Sequence, residues 1–299
     1  MTTRLARAVV VTRPTEYDEL LARHGTRGQA EFFLATRGRS LEELEERHQR
    51  QEAALRTVLG DIPPSWRRTR VAREDLDRFL FQPDDVVIAV GQDGLVANVA
   101  KYLDGQPVVG VNPDPGFYEG VLVRHAAPLA GDLVVAAAAL STPFEERTMV
   151  EVELDDGQRL VALNEVFLGH RTHQSARYRL EWRDRAERQS SSGIIVSTGT
   201  GATGWARSVH RQRTTEVVLP SPDERRIVFF TREAWPSVAS GASVTDGDVV
   251  EGDELVVLSE MERDGVVFGD GIEADSLPFT WGRRVSVRVS SRRLRLVAG

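Results

Sequence analysis

The 299-residue sequence contains no cysteine, and this absence excludes several kinds of chemistry. Disulfide bonds, cysteine-based zinc sites, iron–sulfur clusters and thiol nucleophiles all require that residue. Lysine is almost missing as well, since Lys101 is the only lysine among 38 basic residues. We therefore expect contacts to phosphate groups to come from arginine, from hydroxyl groups or from backbone N–H groups.

Long apolar runs and a surplus of basic residues are also absent. No run approaches the roughly 18 residues that a membrane helix needs, and the first residues lack the apolar region of a signal peptide. The net charge of −7 argues against nucleic acid as the main partner, because a phosphate backbone requires a concentrated basic face. We expect a soluble, cytoplasmic protein that binds neither membranes nor nucleic acid.

The apolar pattern changes its character near Pro143. Before this point strand-like runs alternate with helical patterns, which is typical of an α/β sheet. After it, short β-like runs are separated by turns rich in glycine and aspartate, which favours a β-sandwich or a similar β-rich domain. We therefore predict an α/β domain over residues 1–142 and a β-rich domain over residues 143–299, whose last strand could return to the first domain.

The individual elements follow from the same patterns. Ser40 predicts the start of a long helix, with Glu43 completing a capping box. The other predicted helices cover residues 17–23, 75–81, 95–103 and 202–211. The predicted strands cover residues 5–11, 70–71, 85–90, 107–111, 149–154, 159–168, 178–182, 193–197, 216–219, 227–231, 254–259, 266–269 and 284–289.

The first candidate site is the tetrapeptide Gly91-Gln92-Asp93-Gly94, which joins a buried strand to a helix. Unpaired N–H groups at a helix N-terminus favour anions such as phosphate. An aspartate at that point can accept a proton or hold Mg²⁺. The alternative interpretation is that Asp93 only caps the helix and the glycines only form the turn.

Two further polar residues, Asn112 and Asp114, follow the next predicted strand. Ligands of open α/β sheets bind outside the carboxyl ends of the strands, so these side chains and Asp93 are expected at one edge of the sheet. The alternative is that both residues serve only the turn.

A second candidate is the pair Asn164-Glu165, which interrupts an apolar run. Neighbouring residues on a strand point to opposite faces, so solvent exposure does not explain both. An amide beside a carboxylate can bind a sugar hydroxyl or the edge of a base. The alternative is a strand that passes from core to edge and leaves Glu165 exposed.

The third candidate is the loop Gly199-Thr-Gly201-Ala-Thr-Gly204, a literal G-x-G-x-x-G. A dinucleotide-binding Rossmann motif requires a βαβ unit with an acidic residue at the end of the second strand, but the surroundings are β-rich and Asp223 falls in a turn. The hydroxyl groups of Thr198, Thr200 and Thr203 could instead contact phosphate or ribose, and Trp205 could stack on a base. A tight turn with Trp205 in the core is the structural alternative.

The order of these segments, G-x-D-G, V-N-x-D-P, L-N-E-V-F and S-S-G-I-x-V-x-T-G-T-G, resembles the NAD kinases. It looks most like the mitochondrial-type branch and extends over residues 86–289. The resemblance implies a Rossmann-like α/β domain followed by a β-sandwich-like domain. It also implies that ATP, with Mg²⁺ or another divalent cation, phosphorylates the 2′-hydroxyl of the adenosine ribose of NAD. The family forms homo-oligomers, and we expect a homodimer.

By position, the resemblance implies that Asp93 is the general base for that hydroxyl. The other residues implied at the nucleotide are Gly91, Gly94, Asn112, Asp114, Asn164, Glu165, Thr198, Thr200, Gly201, Thr203, Trp205 and Asp270; no metal ligand is assigned. This fits the chemistry, because a sugar hydroxyl is a poor nucleophile and phosphoryl transfer depends mostly on positioning and charge stabilisation.

The sequence departs from the family pattern at Gln92, where glycine is usual, and at Leu95, which is often threonine. A side chain at a close-approach glycine would clash with phosphate or forbid a positive φ. This motivates two alternatives to an active NAD kinase. One is a non-catalytic sensor that binds NAD or NADP, and the other is a related G-x-D-G kinase acting on a lipid or sugar hydroxyl.

Overall fold

A computed structural model describes residues 6–298 of the chain and divides it into two compact units. The first unit contains the chain up to Glu145 and resumes at Arg295, while the second contains Glu146–Leu294. The end of the last strand therefore returns to the first unit. No helix among the described residues is both long and apolar enough to cross a membrane.

The first unit is built on a parallel sheet. Its strands are β1 (Arg7–Thr12), β2 (Arg67–Ala72), β3 (Asp85–Val90), β4 (Pro107–Asn112) and β5 (His125–Ala126). The order across the sheet is β2-β1-β3-β4, with β5 and the segment Arg295–Leu296 both parallel to β4. Every residue of β3 and β4 is buried, as expected for strands covered on both faces.

Five helices accompany this sheet: α1 (Glu16–His24), α2 (Arg27–Ala35), α3 (Leu41–Asp61), α4 (Asp93–Ala100) and α5 (Ala130–Ala138). Ser40 caps α3 as predicted, by accepting a hydrogen bond from the amide of Glu42; the predicted capping box with Glu43 is not found, because the bond comes from the second residue of the helix and not from the third. The predicted helix over residues 75–81 is wrong. Only a short 3₁₀ turn at Arg73–Asp75 forms there, and Leu76 is the one buried residue of the following segment, so too little apolar surface is available to hold a helix.

The second unit is a β-sandwich with a single short α-helix, α6 (Trp205–Arg211), among its described residues. Its strands are β6 (Phe144–Leu154), β7 (Arg159–Ala162), β8 (Glu165–His170), β9 (Ala176–Trp182), β10 (Arg185–Ser191), β11 (Ile194–Ser197), β12 (Arg226–Thr231), β13 (Asp246–Val250), β14 (Leu255–Ser259), β15 (Gly265–Gly269), β16 (Leu277–Pro278) and β17 (Arg284–Val297). The predicted strand over residues 216–219 is wrong. Val217 and Leu219 pack on the apolar cluster beneath α6, but the segment has no strand partner.

Two antiparallel sheets form the sandwich. One has the order β10-β9-β14-β17, with β6 and β7 attached, and the other has the order β13-β12-β11-β8-β15-β16. Alternate residues of β8 face opposite ways: Val166 and Leu168 lie in the sandwich core, whereas Phe167 packs in a separate cluster with Trp205 and Phe268. Glu165 shares the parity of Phe167, so the strand itself brings this carboxylate to the face that carries α6.

Candidate functional site

The carboxylate of Asp93 holds the backbone that follows β4 in the first unit. Its Oδ1 accepts hydrogen bonds from the amides of Leu122 and Val123, at 2.7 and 3.0 Å, and its Oδ2 accepts one from Val121 at 2.9 Å. A carboxylate has about four acceptor positions, so three are filled and one is left on Oδ2. Asp93 can therefore anchor residues 121–123 and still accept a hydrogen bond from one further donor.

Asn112 and Asp114 shape the same loop from the end of β4. Asn112 Oδ1 accepts from the amide of Asp114 at 3.0 Å, and its Nδ2 donates to the carbonyl of Tyr118 at 3.0 Å. Asp114 forms an ion pair with Arg50 at 3.0 Å. Both residues are buried and both have turn roles. Their contact with a nucleotide stays a prediction.

The two departures from the family pattern, Gln92 and Leu95, fit the backbone without strain. Gln92 has φ −95° and ψ 164°, an extended conformation that any residue adopts, and its side chain is exposed. Of the two consequences considered for losing glycine here, a forbidden positive φ therefore does not arise. Leu95 is fully buried, so the hydroxyl that it lacks would have faced the core and not a ligand.

Because no strain has to be relieved, we predict that Gln92→Gly does not raise kcat for the NAD phosphorylation that the family resemblance implies. Steady-state kinetics of the variant against the wild-type protein check this. A rise in kcat would show that the Gln92 side chain obstructs the reaction.

Asp270 plays the anchoring role in the second unit that Asp93 plays in the first. Its Oδ1 accepts from the amide of Asn164 at 2.7 Å and its Oδ2 from that of Leu163 at 2.9 Å. Asp270 itself has φ 53°, a left-handed conformation that aspartate tolerates better than most residues. The result is a bend between β7 and β8 that presents Asn164 and Glu165.

The side chains of Asn164 and Glu165 are the available polar groups at this bend. Both are half-buried, and within residues 6–298 no hydrogen bond from either side chain is found. Burial raises the pKa of Glu165 to about 7, and the nearby charge of Asp270 adds to the rise. A carboxylate of this kind changes its charge near neutral pH and is a candidate functional group.

The threonine-glycine loop, residues 198–204, is fastened to the same bend. Thr198 is fully buried; its hydroxyl donates to the carbonyl of Leu163 at 2.5 Å and accepts from the amides of Thr200 and Gly201, at 3.1 and 3.3 Å. The hydrogen bonds of this hydroxyl therefore hold the loop in shape. Thr203 is exposed, and its hydroxyl donates to the carbonyl of Thr200 at 3.0 Å, so its lone pairs remain available.

Neighbouring backbone atoms leave no space for a side chain at two glycines of this loop. A Cβ on Gly199 would lie 2.0 Å from the carbonyl oxygen of Ser221, and a Cβ on Gly201 would lie 2.2 Å from that of Asn164. The preceding strand, β11, is antiparallel to both of its neighbours, β8 and β12. A parallel βαβ unit is absent here, and the G-x-G-x-x-G is not a Rossmann motif.

We predict that Gly199→Ala destabilises the second unit by about 1–3 kcal/mol, because the added methyl group forces two backbone segments apart. Chemical denaturation followed by circular dichroism measures this. Gly60→Ala in α3 is the matched control, since a Cβ there meets nothing within 4 Å and alanine favours the helix. Equal stability of the two variants would contradict the close-approach argument.

Sequence reasoning missed two arginines beside the loop. Arg147 of β6 is 3% exposed and donates to the hydroxyl of Thr200 at 3.3 Å. Arg232 lies over the ring of Trp205 at 5.3 Å, and Trp205 is stacked on Phe167 with an interplanar angle of 16°. Only the spatial arrangement of the strands reveals these contacts, because Arg147 and Arg232 are far from the loop in sequence.

Comparisons with known proteins agree with this architecture, although no family model matches the chain. The chain is 28% identical over 265 residues to the mitochondrial NAD kinase 2 of Homo sapiens, covering 72% of this chain and 60% of that protein. It is 27% identical over 259 residues to the corresponding protein of Rattus norvegicus, covering 70% and 61%. An NAD kinase of Caldicellulosiruptor saccharolyticus is 28% identical over 215 residues, covering 71% and 75%.

A solved structure shares the fold. The NAD kinase from Archaeoglobus fulgidus, in complex with ATP, superposes with a TM-score of 0.56 at 19% identity, covering 98% of this chain and 93% of that one. The chain therefore shares the fold of that protein, an α/β unit followed by a β-sandwich. In sequence it is similar to the NAD kinases, mitochondrial forms included, so the predicted resemblance and the predicted fold class are confirmed. The chain spans about three-fifths of the length of the two mitochondrial relatives.

Proposed function

We propose that this protein is an NAD kinase, which transfers the γ-phosphoryl group of ATP to the 2′-hydroxyl of the adenosine ribose of NAD. The similarity to proteins named NAD kinase supports the activity, and the ATP complex of the Archaeoglobus fulgidus protein supports ATP as donor. The observation that carries the proposal is the Asn164-Glu165 pair. The protein anchors the backbone of this pair through Asp270, while the amide and the carboxylate remain open to a ribose.

In this proposal Asp93 is the general base. Its Oδ2 has one open acceptor position, which receives the proton of the 2′-hydroxyl as that oxygen attacks the γ-phosphorus. The bond from the γ-phosphorus to the β–γ bridging oxygen breaks, and ADP leaves. Gly94 leaves room for the phosphates at the helix N-terminus, since a Cβ there would occupy open space, whereas a Cβ on Gly91 would meet the side chain of Leu95 at 3.2 Å.

The second unit binds the adenosine half of NAD in the same proposal. Asn164 and Glu165 bind the ribose hydroxyls, and Thr203 adds a hydroxyl group. The indole ring of Trp205 stacks on the base of the nucleotide. Thr200 and Gly201 hold this surface in shape through the contacts with Arg147 and with the carbonyl of Asn164. Asn112 and Asp114 serve this proposal by shaping the loop whose backbone Asp93 anchors.

A divalent cation such as Mg²⁺ completes the proposed reaction. Among residues 6–298, no three His, Asp or Glu side chains converge on one point. Mg²⁺ usually binds through one or two carboxylates together with substrate phosphates, so this arrangement suits a cation that is brought by ATP. The cation would neutralise charge on the transferred phosphoryl group.

We also propose a cytoplasmic homodimer, following the composition and the family resemblance. The relatives named above include mitochondrial proteins, so fractionation of cells that express the chain is the direct test of location. Sedimentation equilibrium of the purified protein tests the dimer.

A panel of acceptors tests the proposed function against its alternatives. Purified protein is incubated with ATP, Mg²⁺ and either NAD, NADH, a diacylglycerol or a hexose, and the phosphorylated product is identified by mass spectrometry. We expect NADP from NAD and no phosphorylated lipid or sugar. NAD binding without NADP formation would favour a sensor, and a phosphorylated lipid or sugar would favour the other kinase.

A further inference from the structure

Arg147, near the start of β6, is a buried cation beside the threonine-glycine loop. It is 3% exposed and donates to the hydroxyl of Thr200 at 3.3 Å. Taking a guanidinium out of water costs free energy, and an apolar side chain would fill the same space at a lower cost. A buried charge of this kind can instead fix one arrangement of the groups around it. The contact with Thr200 indicates that the loop is the segment whose arrangement Arg147 fixes.

The next residue of β6, Thr148, holds a second segment against the same loop. Its amide and its hydroxyl donate to two carbonyl groups of the segment 221–223, at 2.8 and 3.3 Å. This segment lies directly on the loop, because a Cβ on Gly199 would be 2.0 Å from one of its carbonyl oxygens. Two adjacent residues of β6 therefore hold the loop at two points, Arg147 directly and Thr148 through the segment 221–223. We call this arrangement the β6 clamp; all of it lies in the second unit.

Electrostatic attraction acts within the clamp as well. The hydrogen bond from the hydroxyl of Ser221, at 2.8 Å, is the main cause that lowers the pKa of Asp223, and the charges of Arg293 and Arg147 add to this effect. The positive charge of Arg147 therefore acts on the segment that packs against the loop. A neutral side chain at this position would lose that attraction together with the hydrogen bond to the loop.

The loop connects Arg147 to groups that the proposed function assigns to NAD. At its beginning, the amide of Thr198 donates to the carbonyl of Asn164 at 2.9 Å. Beyond Thr200, the chain leads within five residues to the half-buried ring of Trp205. Because the loop is fastened to the bend at one end, a fixed Thr200 also fixes the distance between Trp205 and Asn164.

From the β6 clamp we propose that Arg147 is a positioning residue for NAD. It acts through Thr200, which it holds so that Thr203 and Trp205 stay in place for the adenosine half of the dinucleotide. The inference rests on the proposed function and adds a residue to it. The proposed function places the phosphates of ATP at the N-terminus of α4, away from this loop in sequence. Loss of the contact between Arg147 and Thr200 should therefore weaken NAD binding and leave kcat and the KM for ATP unchanged.

A double-mutant cycle on the full chain tests this proposal. Arg147→Met keeps an unbranched side chain without the charge, and Thr200→Val keeps the branched shape without the hydroxyl. Each variant removes the same hydrogen bond to a charged group, so each should raise the Kd for NAD, measured by calorimetry, by about tenfold. The double variant should also lose about tenfold, because the bond can be removed only once. A loss of about a hundredfold, the product of two independent effects, would overturn the proposal.

Thr200→Ser separates positioning from a general loss of structure. This variant keeps the hydroxyl that Arg147 contacts, so it should bind NAD as the wild-type protein does. The matched controls are Arg179→Met, at an exposed arginine of β9, and Thr172→Val, at an exposed threonine after β8; both should keep wild-type affinity. In steady-state kinetics, Thr200→Val should raise the KM for NAD and leave kcat unchanged. A fall in kcat as large as the rise in KM, or the same Kd for Thr200→Val and Thr200→Ser, would contradict a positioning role.

The calorimetric measurement separates this inference from the proposed function. If the cycle gives the expected affinities for NAD but the wild-type protein forms no NADP, the positioning role stands and the NAD kinase proposal fails. If NADP forms and both Arg147→Met and Thr200→Val keep the wild-type Kd and KM for NAD, the NAD kinase proposal stands and the positioning role fails. A wild-type protein that does not bind NAD would overturn both.

Discussion

Asp93→Asn should lower kcat for NADP formation by about 10²–10⁴-fold, the usual contribution of a general base. The asparagine side chain keeps the size of aspartate and one carbonyl oxygen, so NAD and ATP should still bind. Neither the oxygen nor the nitrogen of this amide is basic enough to take a proton from a hydroxyl, however, whereas the carboxylate of Asp93 has an open acceptor position on Oδ2. Initial rates at saturating NAD and ATP measure the effect.

The control for this prediction must disturb the anchored loop and keep the carboxylate. Gly120→Ala does so, because Gly120 has φ +72° and a Cβ there would lie 2.6 Å from the carbonyl oxygen of Val123. We expect Gly120→Ala to reduce kcat far less than Asp93→Asn. Equal losses would mean that Asp93 acts only by holding residues 121–123 and takes no proton.

Glu165→Gln should stabilise the protein above neutral pH while weakening NAD binding. Burial places the pKa of Glu165 at about 7 in the folded protein, against an ordinary value of 4.5, so the folded state disfavours the charged form. The free energy of unfolding of the wild-type protein therefore falls as the pH rises from about 4.5. Above about pH 7, where Glu165 is charged in both states, the decrease is complete. With about 1.4 kcal/mol for each pKa unit, the glutamine variant should be more stable at pH 8 by on the order of 3 kcal/mol.

The same substitution should raise the KM for NAD by about fivefold to tenfold, since a charged acceptor forms a stronger hydrogen bond than a neutral amide. In the wild-type protein the affinity for NAD should increase as the pH rises through about 7, when Glu165 becomes charged. In Glu165→Gln this dependence should vanish.

Glu262→Gln, at an exposed glutamate of the same unit, serves as the control for both measurements. Urea denaturation at pH 5 and pH 8 gives the stabilities, and NAD titrations over the same range give the affinities. An unchanged pH profile in Glu165→Gln would show that another group governs NAD binding.

Strands with a buried face could be predicted from sequence, and polar edge strands could not. The apolar run of β3 identifies it directly, since all six residues are buried. In β10, by contrast, Arg185 and Arg188 are exposed at the edge of the sheet, so the sequence suggests a solvated surface. Helix α5 was also missed, because its Ala- and Val-rich sequence lacks the polar face that marks an amphipathic helix.

The candidate site shows the same limit. Motif order correctly separated the loop after β11 from a Rossmann motif, because the surroundings predicted antiparallel strands. It could not show that Asp93 and Asp270 each accept hydrogen bonds from backbone amides far away in the sequence. Nor could it show that the hydroxyl of Thr198 donates to the backbone carbonyl of Leu163. Such contacts join residues that are remote in sequence, and a motif does not identify the distant residues that its side chains contact.

Transfer of label from ATP to NAD is the decisive experiment for the proposed kinase activity. The purified protein is incubated with Mg²⁺, NAD and ATP radiolabelled at the γ-phosphate, and the dinucleotide is isolated and offered to a dehydrogenase specific for NADP. We expect a labelled dinucleotide that this dehydrogenase reduces, with one ADP formed for each labelled molecule. ATP consumption without label in the dinucleotide, or NAD binding with no transfer at all, would contradict it.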